Sequence, residues 1–561
     1  MKNPKDLINK LLSKKIVPNP LTLQSLFFHS VENFAHLPSI AFVGEEPITY
    51  AQLGQKADEI ARLLFSGGLR KGDKVAILSN NMPNWVIAYF AVVSSGLVVV
   101  PILPDFSAHE VEDILKHSQT KALFISERQM PKISHSDLTS LSFCVKLDDF
   151  SVFRGNENLS EKENYTSPVV DEDDLAALIY TSGTTGRSKG VMLTHKNITW
   201  NATQCFQFQI IDSSDVFLSF LPLSHTYENT IGMIYPIMYG STIYYLEKPP
   251  TPAALLPALE KVRPTMMCSV PLVMEKIYKT QVQSKFTKNH FIRSIYKTPI
   301  FRKIIHRIAG KKLYQVFGGR LKFFGIGGSK LDSRVERFLL EAKFPYTIGY
   351  GLTETAPLVA GAAVGKTKLQ STGAVLQGID IQIVDKNKKG VGEIWVKGPN
   401  VMQGYYKNPE LTAEILTTDR WFKTGDLAYL NNKGLLFIKG RSKSTIIGSN
   451  GENIYPEDIE SVINNQDFVL ESLVIEEDGF LVAKVLPNLE ELEKHIENIR
   501  VNVEHSKERY HIWKENVIRE INAQLNKVSQ IKRVDIVDEP FEKTASMKIK
   551  RFLYTRNNKR K

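Results

Sequence analysis

Between Tyr180 and His195 the chain reads YTSGTTGRSKGVMLTH. Thr181, Ser182, Thr184 and Thr185 supply hydroxyl donors, Gly183, Gly186 and Gly190 free the backbone to turn several N–H groups toward one anion, and Lys189 adds a positive charge. These are the parts of a phosphate cradle. The spacing does not match the Walker A loop, because Gly183 is followed by Gly186 and Lys189 by glycine rather than by Ser or Thr. Cys144, Cys205 and Cys268 are far apart, with no C-x-x-C pair and no His cluster at ligand spacing. A disulfide framework and a structural zinc are therefore excluded, and a reducing compartment is favoured.

The elements around the loop must hold it open to a ligand. LAALIY, just before it, reads as a strand, so the loop falls at a strand's carboxyl end, where open α/β sheets bind ligands. Through about residue 440, short β-branched runs (KVAILS, LVVVPI, KALFIS, DVFLSFLP, STIYYLE, TMMCSV, LKFFGIG) alternate with longer amphipathic stretches. That alternation predicts parallel sheets covered on both faces by helices. From about Gly373 the strands shorten and are separated by turns, which predicts a β-rich subdomain. Beyond Arg441 the texture changes. A strand-like ESLVIEEDGFLVAKVLP leads into a charged helical region from about Leu489 to Val528. The reading is α/β, with a large domain over 1–440 and a small α+β domain over 441–561.

At 561 residues, with 43% hydrophobic and 23% charged residues, the chain has the composition of an ordinary globular protein of more than one domain. The uncharged run Trp85–Leu103 has spanning length. Ser94, Ser95, Gly96 and Pro101 interrupt it, so it reads as buried helix, turn and buried strand. The N-terminus lacks the apolar core of a signal peptide. Leu7, Ile8, Leu11 and Leu12 form one face of a short basic helix, which would pack on the protein or touch a membrane surface. A net charge of +11, with eight basic and no acidic residues over Lys543–Lys561, suits phosphorylated ligands, an acidic carrier protein or anionic lipid. No nucleic-acid motif accompanies the charge.

The loop resembles the phosphate-binding motif of the adenylate-forming enzymes: acyl-CoA synthetases, adenylation domains and luciferases. Further stretches match that family in its order: LPLSHTYENT (Leu221–Thr230), GYGLTETAP (Gly349–Pro357), WFKTGDLAYLNNKGLLFIKGRSKSTI (Trp421–Ile446), NGENIYPEDIE (Asn450–Glu460) and KTASMKIKR (Lys543–Arg551). The resemblance implies ATP, Mg2+ and coenzyme A as reactants and cofactors. It assigns the phosphates to Thr181, Ser182, Gly183, Thr184, Thr185, Gly186 and Lys189. The metal goes to Glu354 with Thr181, the adenine to Tyr350, the α-phosphate to Thr353, and Gly351 is counted with the ATP-binding residues. The ribose goes to Asp426 and Arg441, and the interdomain hinge to Lys443. Lys548 becomes the lysine bridging carboxylate and α-phosphate, with Lys543 and Lys550 as competitors; Met547 stands where the family usually has glycine. His225 becomes a gate and positioning residue facing the acyl carboxylate.

The LPLSHTYE and WFKTGDL blocks look more like long-chain fatty acyl ligases than amino-acid-activating domains, since no Asp partner for an α-amine can be assigned. A medium-to-long-chain fatty acid is the implied substrate. Coenzyme A is the first acceptor and an acyl carrier protein the second. A nucleotide- and fatty-acid-binding protein without turnover is the alternative from another class. The implied place is the cytoplasm, with peripheral contact on the inner face of the membrane as an added option. Oligomeric state is not legible.

Overall fold

The computed structural model describes residues 16–133, 141–182, 188–248, 250–283, 296, 298–447, 453–488, 492, 506–544 and 548–555. Gly183, Thr184, Thr185, Gly186, Met547, the N-terminal apolar face (Leu7, Ile8, Leu11, Leu12) and the last half-dozen residues lie outside them.

The β-branched runs form two large sheets and the longer stretches pack between and around them. Among the described residues one sheet has eight strands. Its middle is parallel: Lys74–Leu78 lies between Val98–Ile102 and Ala122–Ile125, and Val98–Ile102 also pairs with Leu175–Ser182. The apolar run from Trp85 resolves as helix Pro83–Ser94 and strand Val98–Ile102, buried from Trp85 onward. No helix among the described residues is long and apolar enough to cross a membrane.

The second sheet has thirteen strands among the described residues. Its parallel half runs through Thr242–Tyr245, Val216–Ser219, Met266–Ser269 and Phe323–Ile326 to Tyr346–Gly351. The β-rich stretch from Gly373 does not build a sheet of its own. It continues this one, antiparallel, from the far edge of Tyr346–Gly351 through Leu358–Gly361, Gly373–Val375 and Leu435–Arg441. Strand length and turn density register the switch from parallel to antiparallel pairing, but not which edge the new strands join.

Beyond Arg441, Val469–Glu477 and Phe480–Pro487 form a hairpin, joined in parallel by Arg533–Ile536. The stretch read as one strand-like run is thus two. Asp478 (φ 53°) and Gly479 (φ 78°) make the tight turn between them, because both central residues of such a turn need positive φ. Helices Pro456–Ile463 and Ser506–Asn522 belong to this smaller unit, which has its own core around Ile459, Val474, Val517 and Ile521. It rests on the large domain through polar contacts: Lys330 pairs with Asp458, Asp332 accepts from Ser461 and Asn465, and Lys279 Nζ donates to the Val469 carbonyl at 3.0 Å.

Candidate active site

The phosphate-type loop sits at the tip of a hairpin. Leu175–Ser182 pairs antiparallel with Ser188–Thr194, so Thr181 faces Lys189 and Ser182 faces Ser188 across its mouth. Thr194 then caps helix His195–Gln204 in a capping box with Asn197, which fixes where the second strand ends.

Lys189 is half-buried against Tyr405. Its ammonium lies 5.3 Å from the Tyr405 ring centroid. Burial lowers its pKa and Lys443 adds repulsion, while Glu354 and Glu414 pull it back up. The Tyr405 hydroxyl donates to Glu354 Oε1 at 2.8 Å. Thr181, Lys189, Tyr405 and Glu354 therefore form one wall of a cleft. Tyr405 is a site residue that sequence reasoning missed: it is brought in by the short strand Gly404–Tyr405, which pairs with Ser188–Thr194. Its only sequence signal was the glycine–tyrosine–tyrosine run, which carries no chemistry by itself.

Glu354 projects from a tight turn, Thr353–Thr355, at the end of strand Tyr346–Gly351. The turn is fixed by polar side chains. Asn400 Nδ2 donates to the carbonyls of Thr355 (2.8 Å) and Leu358 (3.1 Å), and Asn201 exchanges two hydrogen bonds with the backbone of Leu358. Gly351 must be glycine, because a Cβ there would lie 1.9 Å from the Pro357 carbonyl oxygen. The chain can double back only without a side chain at that point.

The opposite wall is a chain of charge and hydrogen bonds. Tyr350, nearly buried, donates its hydroxyl to Asp426 Oδ2 at 2.7 Å. Asp426 Oδ1 meets Arg441 Nε at 3.1 Å, and strand pairing sets these two residues directly opposite each other. Burial and the adjacent Asp426 carboxylate raise the Tyr350 pKa far above the phenol range, so it stays a neutral donor.

Lys548 enters this cleft from the small domain. Thr544 fastens its backbone: the Thr544 N–H donates to the Lys548 carbonyl at 2.8 Å, and the Lys548 N–H donates to Thr544 Oγ1 at 3.2 Å. The side chain keeps access to solvent from the open cleft. The surrounding protein lowers its pKa, Arg441 lowers it further, and Asp426 and Glu354 oppose both. Of its two rivals, Lys543 is held by Glu471 and Lys550 by Glu542 at 2.7 Å. Lys548 instead faces Asp426 and Glu354 of the cleft.

His225 closes the group. Its Nδ1 accepts from the Tyr227 N–H at 3.3 Å, which leaves the ring proton on Nε2. Burial pushes its pKa down to about 4, and nearby Lys548 acts in the same direction. At neutral pH it is an uncharged hydrogen-bond donor. Lys443, in the turn Ser442–Ser444, lies close enough to Lys189 to repel it.

Residues from Thr181 to Lys548 thus converge on one cleft: a carboxylate on a tight turn, a carboxylate paired to arginine, two lysines and a neutral histidine. An AMP-binding enzyme family model matches residues 27–406, and the AMP-binding enzyme C-terminal domain matches residues 443–559. The chain belongs to the AMP-binding, adenylate-forming enzymes. It is 30% identical over 499 residues to a long-chain-fatty-acid–CoA ligase of Bacillus subtilis, covering 82% of this chain and 83% of that protein. It is 30% identical to fatty acyl-CoA synthetase A of Dictyostelium discoideum, covering 80% and 73% of the two chains. A chloroplastic long-chain-fatty-acid–[acyl-carrier-protein] ligase of Arabidopsis thaliana is 29% identical, covering 90% and 80%. Among solved structures, ATP-bound MatB from Rhodopseudomonas palustris superposes with a TM-score of 0.75 at 23% identity, covering 96% of this chain and 99% of that one. At that identity the likeness speaks for the fold.

Proposed function

We propose that this protein activates a medium-to-long-chain fatty acid with ATP and transfers the acyl group to the thiol of coenzyme A. In the first half, a carboxylate oxygen attacks the α-phosphorus of ATP and the bond to the β-phosphate breaks, giving acyl-AMP and pyrophosphate. In the second, the thiol sulfur attacks the acyl carbon, its proton is lost and AMP leaves. The observation that carries this reading is the meeting of Lys548 with Glu354, Asp426, Arg441 and His225 in a single cleft. The fatty acyl specificity follows the relatives.

The protein does little covalent chemistry; it positions reactants and neutralises charge as the pentacoordinate phosphorus forms. Thr181, Ser182 and Lys189, with Gly183, Thr184, Thr185 and Gly186, take the β- and γ-phosphates. Thr353 reaches the α-phosphate, Tyr350 and Gly351 bound the adenine, and Asp426 with Arg441 holds the ribose. Lys548 bridges the attacking carboxylate and the α-phosphate. His225, neutral and donating from Nε2, orients the carboxylate without acting as a base.

A hard cation fits the donor set. Glu354 has one oxygen engaged by Tyr405, leaving the other for Mg2+, with Thr181 as an oxygen neighbour. Such an ion supplies charge neutralisation on the phosphates. Rotation of the small domain about Lys443, between units 1–440 and 441–561, would withdraw Lys548 and admit the thiol. The widely separated free cysteines favour a reducing compartment such as the cytoplasm.

An acyl carrier protein is the second acceptor, favoured by the Arabidopsis relative and the basic charge balance. Thioester formation from ATP and a fatty-acid chain-length series, with coenzyme A or carrier protein as acceptor, tests both. Product with neither thiol while acyl-AMP accumulates would remove the thioester step from the proposal.

A further inference from the structure

The longest run of the chain without an acidic residue is not its C-terminal tail. Between Glu275 and Asp332 there are fourteen Lys and Arg residues and no Asp or Glu. Its described centre is helix Pro299–Val316, PIFRKIIHRIAGKKLYQV. One face of this helix is bolted to helix Ser333–Ala342. Arg302 donates to both oxygens of Glu341 at 3.1 and 2.8 Å, and His306 Nδ1 lies 2.8 Å from the same carboxylate. Gly310 lets the two helices touch, since a Cβ there would come within 2.5 Å of the Ala342 Cβ. Leu313 is buried one turn on.

At 100° per residue, the face opposite Arg302, His306 and Leu313 carries Ile300, Phe301, Ile304 and Ile308. They are 69%, 51%, 49% and 57% exposed. Lys303 and Arg307 flank this stripe on one side, Lys312 on the other, and Lys311 closes its C-terminal end; all four are exposed. Four large apolar side chains in a continuous exposed stripe need a cover other than water. The cover must accept aliphatic groups and supply negative charge at the same depth. A convex, rigidly mounted helix with a narrow aliphatic ridge and a cationic rim suits the plane of an anionic bilayer, with the ridge among the upper acyl chains and the cations at the headgroups.

We propose that the outer face of helix Pro299–Val316 docks on anionic lipid bilayers. The surface does not depend on the chemistry of the cleft. Its benefit to the enzyme rests on the proposed fatty-acid substrate, which partitions into the same bilayer.

The test is sedimentation of the full-length protein with vesicles of phosphatidylcholine alone and with about one third phosphatidylglycerol. Wild type binds the anionic vesicles and releases them as salt rises. Ile304→Asp with Ile308→Asp lowers the partition coefficient at least about tenfold. Lys303→Ala with Arg307→Ala lowers it about thirtyfold on anionic vesicles and leaves the small partition on neutral ones unchanged. Melting temperature and acyl-AMP formation from detergent-dispersed fatty acid stay at wild-type values in both variants. Wild type that ignores anionic vesicles, or variants that bind them as wild type does, would overturn the proposal. So would variants that keep vesicle binding but lose retention on an acidic carrier protein, which would give the face to a protein partner. Vesicle binding needs no turnover, so an inactive protein that still binds would refute the enzymatic reading and leave this one standing.

Discussion

Glu228 offers a sharp physical prediction, because the fold buries a carboxyl group without a counter-charge. It begins the π-helical turn Glu228–Ile234 beside the candidate site and is only 1% exposed. A hydrogen bond from Ser219 favours the charged form, yet Oε2 has no partner and burial dominates, raising the pKa from 4.5 to about 8. The native state therefore holds a proton that the unfolded chain releases near pH 4.5. Stability contributed by the neutral form is complete below that value and is lost as pH rises toward 8. The loss runs at about 1.4 kcal/mol per pH unit inside this window, so wild type gives up about 3 kcal/mol at this site between about pH 5 and 7. Glu228→Gln keeps the shape and removes the titration. Urea unfolding of the large domain, followed at several pH values, should give midpoints for Glu228→Gln that gain steadily on wild type as pH rises, with unchanged m. All other titrating groups are common to both proteins and cancel in the comparison. Two curves that stay parallel from pH 5 to 7 would refute the reasoning.

Other outcomes follow from the cleft. Lys548→Ala should reduce acyl-AMP formation by at least about a hundredfold, yet still pass a supplied acyl-adenylate to thiol; loss of only the second half-reaction would reassign the lysine. Asp426→Asn should raise the KM for ATP about tenfold to a hundredfold, the worth of a charged hydrogen bond, with little change in melting temperature. Tyr405→Phe should raise the Mg2+ concentration for half-maximal adenylation about threefold to tenfold, since Glu354 loses the hydroxyl that orients it. His225 is already neutral above its pKa of about 4, so the pH profile of adenylation should show no inflection from it between about pH 5.5 and 8. An inflection there that His225→Ala removes would contradict that protonation state.

Much of this site was legible in one dimension because each cleft residue sits in a short motif whose backbone is locally determined. The threonine of TGDL and the glycine before Asp426 (Gly425, φ 71°) set a bulge within strand Phe422–Leu430, and Gly351 is forced by the carbonyl it must pass. The parallel pairing of the central strands was implied by the alternation of apolar runs and helices. What could not be read is long-range. Tyr405 reaches Glu354 across 51 positions through a two-residue strand too short to have a pattern. The pairing of the late antiparallel strands with an existing sheet edge depends on which edge is left free. Met547, singled out against the family pattern, and the glycine–threonine part of the loop lie outside the described residues. The charge balance misdirected attention to the tail, because a run of cations spread over a loop and a helix is less conspicuous than a cluster at a terminus.

The central claim is that the cleft lets a fatty carboxylate displace pyrophosphate from ATP. Isotope exchange between pyrophosphate and ATP, with magnesium and a long-chain fatty acid but no thiol, measures that step alone. The account predicts exchange that depends on the fatty acid and disappears in Lys548→Ala. No exchange with any of a panel of fatty acids, or exchange that proceeds equally without acid, would contradict it.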